Sequence, residues 1–326
     1  MAEKASSKGT TRKAAQSMTL SQDTIAALER EASRRGIPKS QLADQVLNSQ
    51  LETDEGKPTI IAVMSYKGGV AKTTTSTSLA VCFAENGKRV LVIDLDGQGN
   101  ASQYFQVYDP RSEDLCIADV LYIPSGGSRR LTLEEVMRPT DFENLYVVPS
   151  NFRFADADAK MKADSAGGVD TRLRYAIEDM NEIFDYIIID CGPRLDMTTT
   201  NAIVALEAGN SNSHIIIPIK VDGFAIAGVS QTVDIINRTA VERRTHPQPW
   251  KILRTMVEPR TVSYKLGIGQ LKDAIPSAVY FNVQISKSTV VTESNLAMEP
   301  LIRYEPTSKP ALEYGLLAAE IEAMNG

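Results

Sequence analysis

The chain has 326 residues, 43% of them apolar and 23% charged, with a formal net charge of −6; this is the composition of a globular protein with one large and one small domain, not of a disordered or fibrous chain. No run of about eighteen apolar residues occurs, so no membrane span is expected, and the polar opening Met1-Ala2-Glu3-Lys4-Ala5-Ser6-Ser7-Lys8 is not a secretory signal. Three scattered cysteines (Cys82, Cys116 and Cys191) and two histidines (His214 and His246) argue against a disulfide framework and a histidine-based metal or triad site, and suit a reducing, cytoplasmic compartment.

The acidic total hides a basic leader. Residues 1–15 hold Lys4, Lys8, Arg12 and Lys13 against Glu3 alone and have almost nothing to bury, as in a flexible tail. Gln16-Ser17-Met18-Thr19-Leu20 then alternates polar and apolar like one short strand. Ser21 can cap a helix that places Ile25, Leu28 and Ala32 on one face, and Gly36 and Pro38 stop it. Ser40 can cap a second helix, with Leu42, Val46, Leu47 and Leu51 on its apolar face. Residues 16–53 resemble a ribbon-helix-helix module, whose strands pair across a dimer and enter the DNA major groove. The resemblance implies that Ser17, Thr19 and Ser21 face the groove while Met18 and Leu20 face the core. Hydroxyls are weak base readers beside Arg, Lys or Asn. Another helical DNA-binding module, or a hairpin used only for dimer contacts, fits the same pattern. Residues 54–58 are polar and read as a linker.

From Thr59 onward, apolar runs alternate with helical stretches, which predicts an α/β fold with a mostly parallel sheet and helices on both faces. Strands are expected at Thr59–Met64, Val90–Leu95, Leu145–Val148, Tyr186–Ile189, Ile215–Ile219 and Trp250–Met256. Helices fit Thr73–Asn86, Val169–Asn181, Thr199–Glu207, Gly228–Glu242, Lys265–Ala274 and Lys309–Met324.

The first of these strands runs into Ser65-Tyr66-Lys67-Gly68-Gly69-Val70-Ala71-Lys72-Thr73-Thr74 and then into a helix start. Strand, glycine turn and helix are the setting of a phosphate-binding loop, because successive backbone N–H groups there can point at one anion. Lys72 would reach the β- and γ-phosphates of ATP, and the Thr73 hydroxyl would hold Mg²⁺. Tyr66 and Ala71 stand where the common loop has glycine, and Lys67 adds a second lysine five residues before Lys72. Lys67 to Thr73 resembles the deviant loop of the partition and septum-site ATPases, K-G-G-x-G-K-[ST]. The resemblance implies a nucleotide site of Lys67, Gly68, Gly69, Val70, Ala71, Lys72, Thr73 and Thr74, in which Lys67 crosses a dimer interface to the partner's phosphates.

The second strand ends Asp94-Leu95-Asp96-Gly97-Gln98-Gly99-Asn100, similar to that family's D-x-D-P-Q-G-N motif with Gly97 in place of proline. The match assigns Asp96 to the attacking water. Tyr186-Ile187-Ile188-Ile189-Asp190 is an apolar strand ending in an acid, the form of a Walker B element, and Asp190 would contact Mg²⁺ through water. Its continuation, Cys191-Gly192-Pro193-Arg194-Leu195-Asp196, departs from the family's D-x-P-P-S-L-G at Gly192, Arg194 and Asp196. Ile216 to Ala225 resembles I-P-x-x-x-E-x-x-A with Asp222 as the acid, and Leu253 to Thr261 resembles the strand whose end lies near adenine, making Thr255 and Met256 base-contact candidates.

Three motifs in this order place the segment from Thr59 to about Glu322 with the ParA-type partition ATPases of the P-loop NTPase fold. That resemblance implies slow, partner-stimulated hydrolysis of ATP and an ATP-dependent homodimer that binds non-specific DNA. A ParB-like or other centromere-binding adaptor would release it, and its location would be cytoplasmic and nucleoid-associated. Lys287, in Ile285-Ser286-Lys287-Ser288, matches the DNA-contacting arginine of the family's I-P-R-N segment; Lys265, Lys272 and Arg260 are further candidates. The final helix carries three acids and no base between Ala311 and Glu322, which a lipid surface would repel, so no membrane partner is expected. The N-terminal module would add operator binding and autorepression. Positioning of a protein cargo, or a nucleotide-gated repressor, remain alternative readings.

Overall fold

The computed structural model describes residues 22–35, 38–43, 54, 56–108, 114–123, 128–164, 167–180 and 182–324. The chain divides into two compact units, Met1–Thr53 and Asp54–Gly326. In the first, helix α1 (Gln22–Arg35) is followed by a second helical stretch at 39–43. Ala32 and Leu42 are buried, Ile25 and Leu28 half-buried, and Lys39 bonds Glu29 at 2.7 Å. Ser40 lies inside this second stretch, not at its cap. The expected strand at 16–20, the apolar positions Val46, Leu47 and Leu51, and the groove candidates Ser17, Thr19 and Ser21 lie outside the described residues.

Residues 54–58 do not form a free linker. The Asp54 carboxylate accepts from the amide of Ser211, the Gly56 carbonyl from Glu182, and the Pro58 carbonyl from Asn210. They belong to the larger unit.

That unit is built on the strands β1 (Thr59–Val63), β2 (Val90–Leu95), β3 (Arg138–Pro139), β4 (Leu145–Val148), β5 (Tyr186–Cys191), β6 (His214–Lys220), β7 (Trp250–Val257) and β8 (Tyr280–Ser286). They form one eight-stranded sheet in the order β3-β4-β2-β5-β1-β6-β7-β8. β3 is antiparallel to β4, and every other neighbouring pair is parallel. Continuous apolar runs such as Thr-Ile-Ile-Ala-Val suit such a sheet because helices cover both faces. Ile60 and Ala62 pack into one layer, with Leu173, Ile177, Ala202, Ile203, Ile235 and Ile236. Those partners come from helices α4 (Arg172–Glu178), α5 (Met197–Ala205) and α6 (Ala225–Arg243), whereas α3 (Asn100–Tyr104) is a short helix at the end of β2. Ile61 and Val63 face the opposite layer, with Leu79, Phe83, Tyr314, Leu317 and Ile321. This second layer is α2 (Lys72–Glu85) and α9 (Lys309–Met324). Helices α7 (Val262–Ala274) and α8 (Thr289–Ala297) lie between β7 and α9 in sequence.

Helix α2 is buried almost all round, from Thr74 to Ala84, which explains its lack of a polar face. Three of its hydroxyls bond back within the helix: Thr75, Ser76 and Thr77 donate to the carbonyls of Ala71, Lys72 and Thr73, four residues back. β3 and β8 were not anticipated in the sequence. β3 is two residues long, and β8 buries only Phe281 and Ile285.

Candidate active site

β1 occupies the place where the chain's direction of travel across the sheet reverses: β2 is reached on one side past β5, and β6 lies on the other. In open parallel sheets this switch point opens a crevice beyond the carboxyl ends of the strands. Here it is a cavity of about 650 Å³. The loop after β1 lines it with Gly68, Gly69, Ala71, Lys72, Thr73 and Thr74. Gly69 and Ala71 both take left-handed backbone, at φ 67°. A Cβ at Gly69 would meet nothing within 4 Å, so the loop needs this glycine for its dihedral, not for space. Ala71 holds the same conformation with a side chain, at a cost of about 1 kcal/mol. Val70 is buried beneath the loop and does not line the cavity.

Lys72 is buried and donates to the Lys67 carbonyl at 3.1 Å. Burial lowers its pKa, while the charges of Asp190 and Asp96 oppose the shift. The Thr73 hydroxyl donates to one oxygen of Asp190 at 2.8 Å, and Ser76 to the other at 2.8 Å. A hydroxyl and a carboxylate in contact at the foot of a phosphate loop are hard oxygen donors of the kind that suits Mg²⁺ with its waters. The residues fit that ion.

Asp94 and Asp96 diverge. Asp94 is fully buried and accepts from the Asp96 amide and from the Ser102 amide and hydroxyl. Burial, reinforced by the charge of Asp190, pushes its carboxyl above the ordinary range. Asp190 is raised too, chiefly by burial, against the bonds from Ser76 and Thr73. Asp96 lines the cavity beside Gly192, and one of its oxygens accepts from the Gln98 amide. The turn that delivers it depends on Gly99, at φ 63°, where a Cβ would lie 2.6 Å from the Tyr108 ring.

Of the base candidates, Met256 reaches the cavity with left-handed backbone, φ 51°. Thr255 does not line it. Its buried hydroxyl lies 3.0 Å from the Val70 carbonyl and 3.1 Å from that of Ile219, pinning the loop from below. Lys67 is also outside the cavity: its ammonium sits 2.5 Å from Asp222 and 5.6 Å from the Phe224 ring centroid, beside an adjoining recess. Burial raises and the Lys67 bonds lower the Asp222 pKa, with a net fall. Several lining residues carried no sequence signal, among them Tyr104, Asp158 and Asn295. The Tyr104 hydroxyl bonds Asn295, and burial pushes its pKa up to about 12. Arg194 was visible only as a departure from a motif.

The DNA candidates lie elsewhere. Lys265 and Lys272 are exposed on α7, two turns apart on one face. Lys287 is exposed but paired with Glu258 at 3.0 Å.

Residues 58–248 match the family described as an AAA domain. The sporulation initiation inhibitor protein Soj of Bacillus subtilis is 32% identical over 264 residues, 81% of this chain and 98% of that protein. The chain belongs to the ParA-type partition ATPases. Among solved structures, this ParA-type chain is similar to cobyrinic acid a,c-diamide synthase from Mycobacterium smegmatis with a bound ATP analogue and magnesium. The identity is 27% and the TM-score 0.63, over 80% of this chain and 93% of that one. A plasmid partition protein from Borrelia burgdorferi bound to AMPPNP shares the fold at 22% identity and a TM-score of 0.65, covering 83% and 100% of the two chains. Among the described residues, no helix is long and apolar enough to cross a membrane.

Proposed function

We propose that this protein is an ATP-hydrolysing DNA-binding switch for plasmid or chromosome partition. The observation that carries the reading is one cavity lined by a left-handed phosphate loop with Lys72 and Thr73 and faced by Asp96, with Asp190 buried behind the Thr73 hydroxyl. Loop N–H groups and Lys72 bind the β- and γ-phosphates. Thr73 and Asp190 would hold Mg²⁺, which would supply positive charge to offset that of the phosphates. Asp96 keeps one oxygen on the Gln98 amide and turns the other to the attacking water, which it aims at the γ-phosphorus. Asp94 takes no part beyond holding the Asp96 amide and α3 in place.

In the ATP state two copies close face to face, and Lys67 leaves Asp222 for the partner's phosphates. The closed dimer binds DNA without sequence preference through Lys265, Lys272 and Lys287. Hydrolysis, slow alone and stimulated by a ParB-like or other centromere-binding adaptor, releases it. The protein is accordingly nucleoid-associated while ATP is bound. The N-terminal unit serves as a ribbon-helix-helix-like module that adds operator binding.

The test is duplex DNA binding with no nucleotide, with ADP and with ATP–Mg²⁺, on the full chain and on residues 54–326. ATP-dependent, salt-sensitive binding that survives truncation is expected. In the same assay Lys72→Ala weakens nucleotide binding by at least about tenfold, by loss of a charged hydrogen bond, and abolishes the ATP dependence. DNA binding that ignores nucleotide and disappears with residues 1–53 would overturn the reading in favour of a repressor.

A further inference from the structure

We infer that Arg194 reads the terminal phosphate of ATP in this site, distinguishing ATP from ADP and stabilising charge as the phosphoryl group is transferred. The inference rests on the reading of the cavity as an ATPase site and adds to it a cation that the deviant loop does not supply.

Arg194 lines the nucleotide cavity together with Lys72 and Asp96, and it also borders the recess that contains Lys67. Its backbone is fixed. Cys191 is paired with Leu95 in the sheet, Pro193 restricts the next turn, and the Arg194 carbonyl accepts from the Thr199 hydroxyl. Two residues on, Asp196 caps α5 by accepting from the amides of Thr198 and Thr199. The five residues 192–196 are thus tied at both ends, which fixes where the exposed Arg194 side chain leaves the backbone.

Against burial, Lys162 and the Met197 amide hold the Asp158 carboxyl below its ordinary range, and the charge of Arg194 contributes to that fall. Among the described residues, no carboxylate forms an ion pair with Arg194. The acids that share the cavity are engaged: Asp158 with Lys162 at 2.7 Å and the Met197 amide, Asp196 with its helix, and Asp96 with the Gln98 amide. Lys67, by contrast, is held on Asp222. Within one protomer, Lys72 and Arg194 are therefore the cations lining the cavity. A planar guanidinium suits two oxygens of a terminal phosphate better than an ammonium does.

In the transfer step, the water oxygen bonds the γ-phosphorus as the bond to the bridging oxygen of ADP breaks. That oxygen keeps the electron pair, and the water's proton ends on the released phosphate. Arg194 gives up no proton; it offsets the charge that builds on the phosphoryl and leaving oxygens.

The experiment compares the full-length protein with Arg194→Ala and Arg194→Lys. Calorimetric binding of Mg-AMPPNP and Mg-ADP is measured alongside steady-state phosphate release. For Arg194→Ala, AMPPNP affinity is expected to fall about tenfold to a hundredfold, by loss of a charged hydrogen bond. ADP affinity should change by no more than about twofold, the effect of a surface substitution. Phosphate release should fall by at least about a hundredfold. Arg194→Lys should recover part of the AMPPNP affinity and little of the turnover. An unchanged ratio of AMPPNP to ADP affinity, whether both are kept or both lost, would overturn the role of Arg194 and leave the ATPase reading standing. If the unaltered protein binds neither nucleotide, both fall together.

Discussion

Asp94 and Asp96 are two residues apart and end one strand, yet their surroundings separate their tasks. Asp94 has its oxygens filled by Ser102 and the Asp96 amide, whereas Asp96 opens on the cavity. Asp96→Ala is expected to keep ATP binding, because the phosphate loop is untouched, and to lower turnover by about a hundredfold or more, the usual worth of a group that handles the attacking water. Phosphate release and nucleotide retention on a filter check it; rapid turnover in the variant would remove Asp96 from the chemistry. At this scale, motif spacing singled out Lys72, Thr73, Asp96 and Asp190 as candidates, and the structure lines one cavity with the first three and sets Asp190 against Thr73. Spacing could not show that Thr255 braces the loop from below, since both carbonyls it meets come from distant segments. The three cysteines are all buried free thiols. Burial raises all three pKa values, that of Cys82 to about 12 and that of Cys116 to about 11.

Helix α9 shows how acids on one element can serve a strand that the sequence did not reveal. Its three acids were read from the sequence only as repelling a lipid surface; two of them staple the edge of the sheet. Glu313 accepts from the amide and hydroxyl of Ser286, and Glu320 from the amides of Asn282 and Val283. β8 is a terminal strand of the sheet, and strand edges otherwise present unpaired N–H groups to any other chain. Glu313→Ala is expected to cost about 1–3 kcal/mol, the penalty of leaving such donors unmet, and to raise self-association as the edge opens. Urea unfolding measures the first effect and sedimentation the second. β8 itself was hard to see because its alternation is short and its neighbours polar. Helix α2 was easy, because its loop announced it.

For the whole molecule, burial also sets a pH response. His214 begins β6, is 2% exposed, and lies 2.8 Å from the Asn212 carbonyl through Nδ1; its Nε2 has no partner among the described residues. Burial lowers its pKa from the ordinary 6.5. Below about pH 6.5 the unfolded chain takes up a proton that the folded state refuses, so stability is lost as pH falls, by at most about 1.4 kcal/mol per pH unit. The raised carboxyl of Asp94 acts with the opposite sign, gaining stability as pH falls. His214→Leu should therefore show a smaller loss between pH 7.5 and 5.5 than the unaltered chain in urea unfolding, and an equal loss would remove His214 as a cause. The sequence by itself determined the α/β class, the parallel strands, the phosphate loop and the two acids that follow it, because these depend on local periodicity and on spacing along the chain. Tertiary structure alone decided which residues share the cavity. It tied residues 54–58 to the large unit, placed Lys67 on Asp222, and brought Arg194, Tyr104 and Asn295 to one site. Such groupings join positions far apart in the chain, and no local pattern encodes them.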